Sequence, residues 1–236
     1  MIYTTGAEIM TLKHPIKHNS LQKTVYDLLR TAILNGELSP GEQISLGEIA
    51  KNLNVSTMPV REALRTLEAQ GMITFSSQKK ITVSQLSAVD LEEFYWIRIP
   101  LECRSFARNF SILGSEEIKE LDKLHQLMSD VNTSGPEWVR LNRKFHMILY
   151  GTEKSRVLKG ALAWLWNNVT AYLNLYAQEP SLVEKANQSH AKLIQAIKEK
   201  RDQEALEVLR EHLKSGLLLR ATLKRTWGDA GNETPP

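Results

Sequence analysis

The sequence predicts a mainly α protein in two parts, an N-terminal winged helix-turn-helix with a two-stranded wing and an all-α helical bundle behind it. Three observations lead there. Apolar residues recur at helical spacing from Val25, the spacing changes to two between Ile73 and Val83, and the helical period returns from Asp90 onward. At 236 residues the chain exceeds what one small core fills, so two domains are expected. A 42% hydrophobic and 24% charged composition suits packed cores and excludes a disordered or fibrous chain.

Residues 1–18 show no sustained period and read as a loose tail. From Gln22, the residues Val25, Leu28, Leu29, Ala32 and Ile33 form an amphipathic stripe that stops at Asn35-Gly36, and Ser39-Pro40-Gly41 then turns the chain. A second, short helix spans about Leu46 to Leu53. Asn54 suits a left-handed residue, and Ser56 suits the N-cap of a third helix ending at Gly71. Ile73 and Phe75 alternate with polar residues, as do Ile81 and Val83 after Ser76-Ser77-Gln78-Lys79-Lys80, which predicts a hairpin. Helices follow at about 88–110, 115–131, 136–151, 154–178, 181–199 and 201–226, with breaks at Gly114, Ser134-Gly135-Pro136, Gly151 and Glu179-Pro180. The end beyond Trp227 is aperiodic. The domains are therefore drawn at 19–87 and 88–228, flanked by tails at 1–18 and 229–236.

Several function classes drop out. The longest apolar candidate, Ala161 to Ala177, is broken by Asn167, Asn168 and Asn174, so no membrane span is expected. Lys13, His14, Lys17 and His18 interrupt any signal-peptide core. The single Cys103 forbids an internal disulfide and fits a reducing compartment, giving a soluble cytoplasmic protein as the expectation. Net charge is only +3, and through Ser87 nine basic residues face seven acidic ones, so any nucleic-acid surface must come from placement rather than bulk charge.

The third helix has that placement. Thr57, Arg61 and Arg65 at i, i+4, i+8 share one face, while Val60, Leu64 and Leu67 line the opposite one. Pro59 is tolerated in the first turn, where its missing N–H has no intrahelical partner. Arginine pairs bidentately with guanine O6 and N7, discriminating by roughly 1–3 kcal/mol per good pair, and it also clamps phosphates. The plainer alternative is a solvated charged face, since Glu62 and Glu68 lie on the same helix. The hairpin tip Gln78-Lys79-Lys80 favours the DNA reading, its lysines acting on phosphates.

The run Arg30-Thr-Ala-Ile-Leu-Asn-Gly36-Glu-Leu-Ser-Pro40-Gly41, then Ile49-Ala50, then Val55-Ser56-Thr-Met-Pro59-Val60-Arg61-Glu62-Ala63-Leu64 and Leu67-Glu68-Ala-Gln-Gly71-Met-Ile, resembles the GntR family of bacterial regulators. The resemblance implies double-stranded operator DNA as partner, with Arg30, Arg61, Arg65 and the wing tip at its contact positions. Two departures bear on base preference: Thr57 stands where the family often has Arg, and Gln78, Lys79 and Lys80 stand where it often has Gly.

In the second half His146, His190 and His212 each sit among apolar neighbours on separate helices, and all three read as inward-facing. A single such histidine is ordinarily a satisfied core residue. Three together suggest a shared divalent metal, because each buried unsatisfied group costs roughly 1–3 kcal/mol. No H-E-x-x-H pattern or Cys pair accompanies them. A rival reading is a metal-dependent hydrolase in which three imidazoles hold a water-activating ion. The aromatic residues Trp164, Trp166, Tyr172 and Tyr176 on one helix are read as core packing before pocket wall or dimer face.

Arg98-Ile-Pro-Leu-Glu102, Asn142-Arg-Lys-Phe-His146, His190-Ala-Lys-Leu-Ile-Gln-Ala-Ile197 and Glu211-His212-Leu213 resemble, in order, the FCD effector domain of the FadR-type branch of that family. The resemblance implies a ligand-binding and dimerisation domain in which an Asp and three His hold a metal, zinc or nickel, beneath a small carboxylate effector. Asn142 occupies the Asp position, and an amide oxygen is a poorer ligand than a carboxylate. Arg98 falls where it can pair with an effector carboxylate or with Glu102. The expectation is then a homodimeric transcription regulator, repressor or activator, with a small organic acid as effector, no organic cofactor and no enzymatic activity.

Overall fold

A computed structural model of the chain describes residues 19–76, 80–84, 88–152, 155–221 and 223. The tails expected at 1–18 and 229–236, the wing residues Gln78 and Lys79, and the junction at 85–87 lie outside the described residues.

The front half opens with α1 (Asn19–Leu34). It buries Val25, Leu29 and Ile33, which fall at i, i+4, i+8. Leu28, included in the predicted apolar stripe, is 51% exposed; one residue along a helix is about 100° of rotation, enough to leave that face. Strand β1 (Gln43–Ile44) precedes α2 (Leu46–Asn52), whose N-cap Ser45 accepts from the Glu48 amide at 3.3 Å. Asn54 takes the left-handed conformation foreseen for it, at φ 51°. Ser56 is extended at the start of α3 (Thr57–Ala69), but its side chain makes no capping bond.

Strands β2 (Ile73–Phe75) and β3 (Ile81–Val83) form the expected antiparallel hairpin, with Phe75 opposite Ile81. The sheet has a third member that no sequence pattern marks: β1 pairs antiparallel with β3, giving the order β1-β3-β2. Two residues are too few to show an alternating pattern. Ile44, Ile73, Ile81 and Val83 close against Val60, Ala63, Leu64 and Leu67 of α3, so α3 is fixed to the body by its aliphatic side.

The rear half is α4 (Ala88–Phe110), α5 (Ser115–Met128), α6 (Gly135–Leu149), α7 (Arg156–Tyr176), α8 (Pro180–Lys198) and α9 (Asp202–Ser215) around a second core. Pro100 lies inside α4 without breaking it. Its ring has no N–H for the carbonyl one turn back, at Trp96, which lies on the solvent side of the helix, 80% exposed. Trp166, Tyr172 and Tyr176 are core residues as read, whereas Trp164 is part-exposed and packs against Phe94, ring centroids 5.8 Å apart. The helix predicted for 201–226 is interrupted by a 3-10 turn at Gly216–Leu218. There the backbone presses so closely on α4 that a Cβ at Gly216 would overlap the Tyr95 hydroxyl. Among the described residues no helix is long and apolar enough to cross a membrane.

Candidate functional site

Two regions carry the residues singled out above, and a seam joins them. On α3, Thr57, Arg61 and Arg65 are all exposed, beside Met58, on the side away from the core. Arg61 has no hydrogen-bond or ion-pair partner among the described residues. Arg65 makes only a loose contact, Nη1 to Glu62 Oε1 at 3.9 Å, between two exposed side chains, an arrangement of small energy in water. Lys80 is exposed just before β3.

Arg30 is placed differently. Its Nη2 donates to Asn167 Oδ1 on α7 at 2.9 Å, and Arg143 of α6 donates its Nη1 to the same oxygen at 3.0 Å. In this arrangement Arg30 is engaged with the rear half rather than grouped with Arg61 and Arg65. No carboxylate among the described residues pairs with either guanidinium. Burial, and then the positive charge of Arg30, holds Arg143 down at about 10. Two more asparagines of α7 reach across. Asn174 Nδ2 donates to the Leu34 carbonyl at 2.6 Å and Asn168 Nδ2 to the Gln70 carbonyl at 3.3 Å. These are carbonyls at the C-terminal ends of α1 and α3, which no intrahelical N–H can satisfy. Gly71 (φ +75°) lets the chain turn there, and a Cβ on it would come within 2.8 Å of Asn168 Oδ1. Sequence reading missed this seam; its one trace was the three asparagines interrupting an otherwise apolar helix.

The rear half brings the three predicted histidines together from α6, α8 and α9. One ring nitrogen from each of His146, His190 and His212 lies within 4.8 Å of the others. His146 Nε2 faces His212 Nε2 at 3.2 Å, and its Nδ1 is 2.7 Å from the Tyr150 hydroxyl. Tyr150 donates to Glu102 Oε2 at 2.5 Å, and Glu102 Oε1 receives Arg98 Nε at 2.9 Å. Arg98 also donates through Nη1 to the Tyr95 hydroxyl at 3.0 Å and lies over the Trp166 ring. Glu102 is one of the two partners foreseen for Arg98, and it is engaged.

Burial governs the electrostatics. It is the main cause holding His146 and His190 well below the ordinary imidazole range, reinforced at both by the charge of His212. His212 is pushed down to about 3, by burial first and the charge of Arg98 second. All three rings are therefore neutral at pH 7, the form that binds metals. Burial and the Glu102 charge together push the Tyr150 phenol well up. Burial opposes the charge on Arg98, but Glu102 and the neighbouring phenols outweigh it, so its pKa rises.

The donor set fits a divalent metal. Both nitrogens of His190, Nδ1 of His212 and Oδ1 of Asn142 are buried with no hydrogen-bond partner, which is costly for a core without a shared ligand. Asn142 sits one turn before His146 on α6. A cavity of about 20 Å³, lined in part by Tyr95, Arg98, Asn142, His212 and Gly216, adjoins the cluster; that is room for about one water. Glu102 spends both oxygens on Arg98 and Tyr150, so it is not free to act as a general base.

Two family models match the chain: the bacterial regulatory proteins of the gntR family over residues 21–83 and the FCD domain over residues 93–215. An uncharacterized HTH-type transcriptional regulator of Bacillus subtilis, YdhC, is 36% identical over 140 residues, 58% of this chain and 62% of its own length. The HTH-type transcriptional regulator McbR of Escherichia coli is 27% identical over 153 residues, 64% of this chain and 69% of its own. Among solved structures, E. coli McbR/YncC superposes with a TM-score of 0.74 at 23% identity, over 88% of this chain and 99% of that one. A putative GntR regulator from Rhodococcus sp. RHA1 gives 0.75 at 19% identity, over 87% and 98%. At those identities the likeness is one of fold.

Proposed function

We propose that this chain, which belongs to the GntR family of bacterial regulatory proteins and carries an FCD domain, reads operator DNA through α3 and is controlled by a small anion bound beside a metal in the helical half. It is a transcription regulator and not an enzyme; the hydrolase reading finds no support, since the relatives above are regulators. The E. coli relative RspR is a transcriptional repressor, which favours repression here.

The observation that carries the DNA reading is the division of α3. Arg61 and Arg65 are exposed without strong partners while Val60, Leu64 and Leu67 are fully buried. Thr57 shares that face of α3, and Lys80 is exposed beside the wing, with Gln78 and Lys79 assigned to the wing tip from sequence. The test is a duplex selected from a random pool by the protein. Retention of tight binding in Arg61→Ala at moderate salt would refute the assignment.

His146, His190 and His212 would hold a divalent ion with Asn142 as a weaker fourth donor, zinc or nickel suiting imidazole nitrogen. Such an ion supplies a Lewis-acid site for a carboxylate, with Arg98 as the neighbouring cation. The cavity of about 20 Å³ is too small for an organic acid, so an organic acid requires its lining, Tyr95 and Gly216 included, to move apart. Coupling follows from chain adjacency: Asn142 neighbours Arg143 on α6, and Trp166 neighbours Asn167 on α7. A shift at the cavity is thereby felt at the Arg30 seam, and about 1–3 kcal/mol of coupling suffices for regulation. Pairing of two chains on a two-fold operator is supported by the exposed apolar face of α4 at Val89, Trp96 and Ile97; a monomer by sedimentation at micromolar concentration would exclude it.

A further inference from the structure

We infer that Tyr150 and Glu102 are positioning residues for the metal site, fixing the proton of His146 on Nδ1 so that its Nε2 lone pair faces the cluster. The inference rests on the metal reading above and extends it to residues that touch no metal.

The protons along one chain of hydrogen bonds can be counted. Glu102, ion-paired to Arg98 Nε at 2.9 Å, is a carboxylate and only accepts. Tyr150 has one proton and gives it to Glu102 Oε2. Its oxygen therefore accepts from the remaining partner, His146 Nδ1, 2.7 Å away. A neutral imidazole carries a single N–H, so His146 Nε2 is bare. That nitrogen points at His212 Nε2, 3.2 Å off, in the three-histidine cluster. Every group in the relay is buried, and each is already engaged by its neighbour along the chain of bonds. A metal-binding histidine whose second nitrogen is held by an outer partner has its tautomer and ring orientation set in advance. Here the outer partner is itself oriented by a buried ion pair.

Glutamine at position 102 would reverse the relay. Its carbonyl must face Arg98 Nε, because an amide NH2 there would set donor against donor. The amide then points at the Tyr150 oxygen, the phenol turns its proton toward His146 Nδ1, and the imidazole proton is forced onto Nε2, the ligating atom.

The test uses metal-stripped, 15N-labelled full-length protein. Long-range 1H–15N spectra read the tautomer of His146, and zinc titration against a chelating dye reads affinity. Wild type is expected to show His146 protonated at Nδ1. Y150F keeps the Arg98–Glu102 pair but should show mixed tautomers and bind zinc about 10–100-fold more weakly; E102Q should show the Nε2–H form. A wild-type proton on Nε2, or zinc affinity unchanged in a folded Y150F, overturns the relay while leaving the metal site standing. A wild type that takes up no zinc overturns both, with the Nδ1–H signal marking the failure as that of the metal reading. If E102Q does not fold, Y150F alone decides.

Discussion

Asn167 Oδ1 accepts from Arg30 Nη2 across the boundary between the two halves of the molecule, and the same oxygen accepts from Arg143. One amide thus serves two guanidinium groups that have no carboxylate partner among the described residues. Asn167→Ala should cost about 1–3 kcal/mol by leaving both without that acceptor, and it should loosen the halves from one another. All five tryptophans lie at position 96 or beyond, so their fluorescence follows the rear half while far-UV circular dichroism follows both. In wild type the two urea transitions should coincide; in Asn167→Ala the dichroism should begin to fall first. Coincident transitions in the variant would show that the seam does not couple the halves.

The positions of the three cations argue for separable effects on DNA binding. Arg61→Ala should lose about 1–3 kcal/mol against a selected duplex and relax discrimination at one base pair. Lys80→Ala should weaken all duplexes alike and lower the slope of log affinity against log salt by about one. Arg30→Ala should leave that slope unchanged, because Arg30 is held at the seam. Fluorescence anisotropy across a salt series measures all three, and a slope lowered equally by Arg30→Ala would place that residue on the phosphates instead.

The sequence made visible whatever depends on local periodicity. The amphipathic stripe of α3, the alternation of Ile73, Phe75, Ile81 and Val83, and the inward histidines all announce themselves by spacing. Features made by contact between distant segments were invisible. Strand β1 exists because Gln43 and Ile44 meet β3, not because of any pattern of their own. Arg30 carries no mark distinguishing a DNA contact from a bond to an asparagine 137 residues away. Glu102 was marked only as a partner for Arg98, and Tyr150 looked like an ordinary aromatic until α4 and α6 packed together.

The depressed imidazoles give the metal-free protein a definite pH dependence. Folded pKa values below the unfolded value of about 6.5 mean that the unfolded chain takes up protons first as pH falls. This contribution is therefore intact above 6.5 and declines as pH drops from there toward about 3, the value to which His212 is pushed. The urea midpoint of the stripped protein should fall between pH 7 and pH 5, and less so in His190→Leu. At pH 7, zinc at a thousandfold excess over its Kd should add about 4 kcal/mol, or about 8–16 °C in Tm for a protein of this size. A Tm unmoved by zinc or nickel would refute the three-histidine site.

Gly216 and Tyr95 both line the cavity next to the cluster, and their contact can be isolated. The backbone at Gly216 is right-handed helical, φ −64° and ψ −23°, so helix propensity alone would favour alanine by about 1 kcal/mol. The added methyl would instead occupy the place of the Tyr95 hydroxyl, which Arg98 Nη1 already holds by a hydrogen bond. Relief requires either the 3-10 turn or the phenol to move, and overpacking of this kind costs about 1–3 kcal/mol. Gly216→Ala should therefore destabilise wild type but be neutral or stabilising in a Tyr95→Ala background, where the obstructing ring is gone. A double-mutant cycle by urea denaturation measures the difference, and equal losses in the two backgrounds would show that the phenol is not what a methyl at position 216 meets.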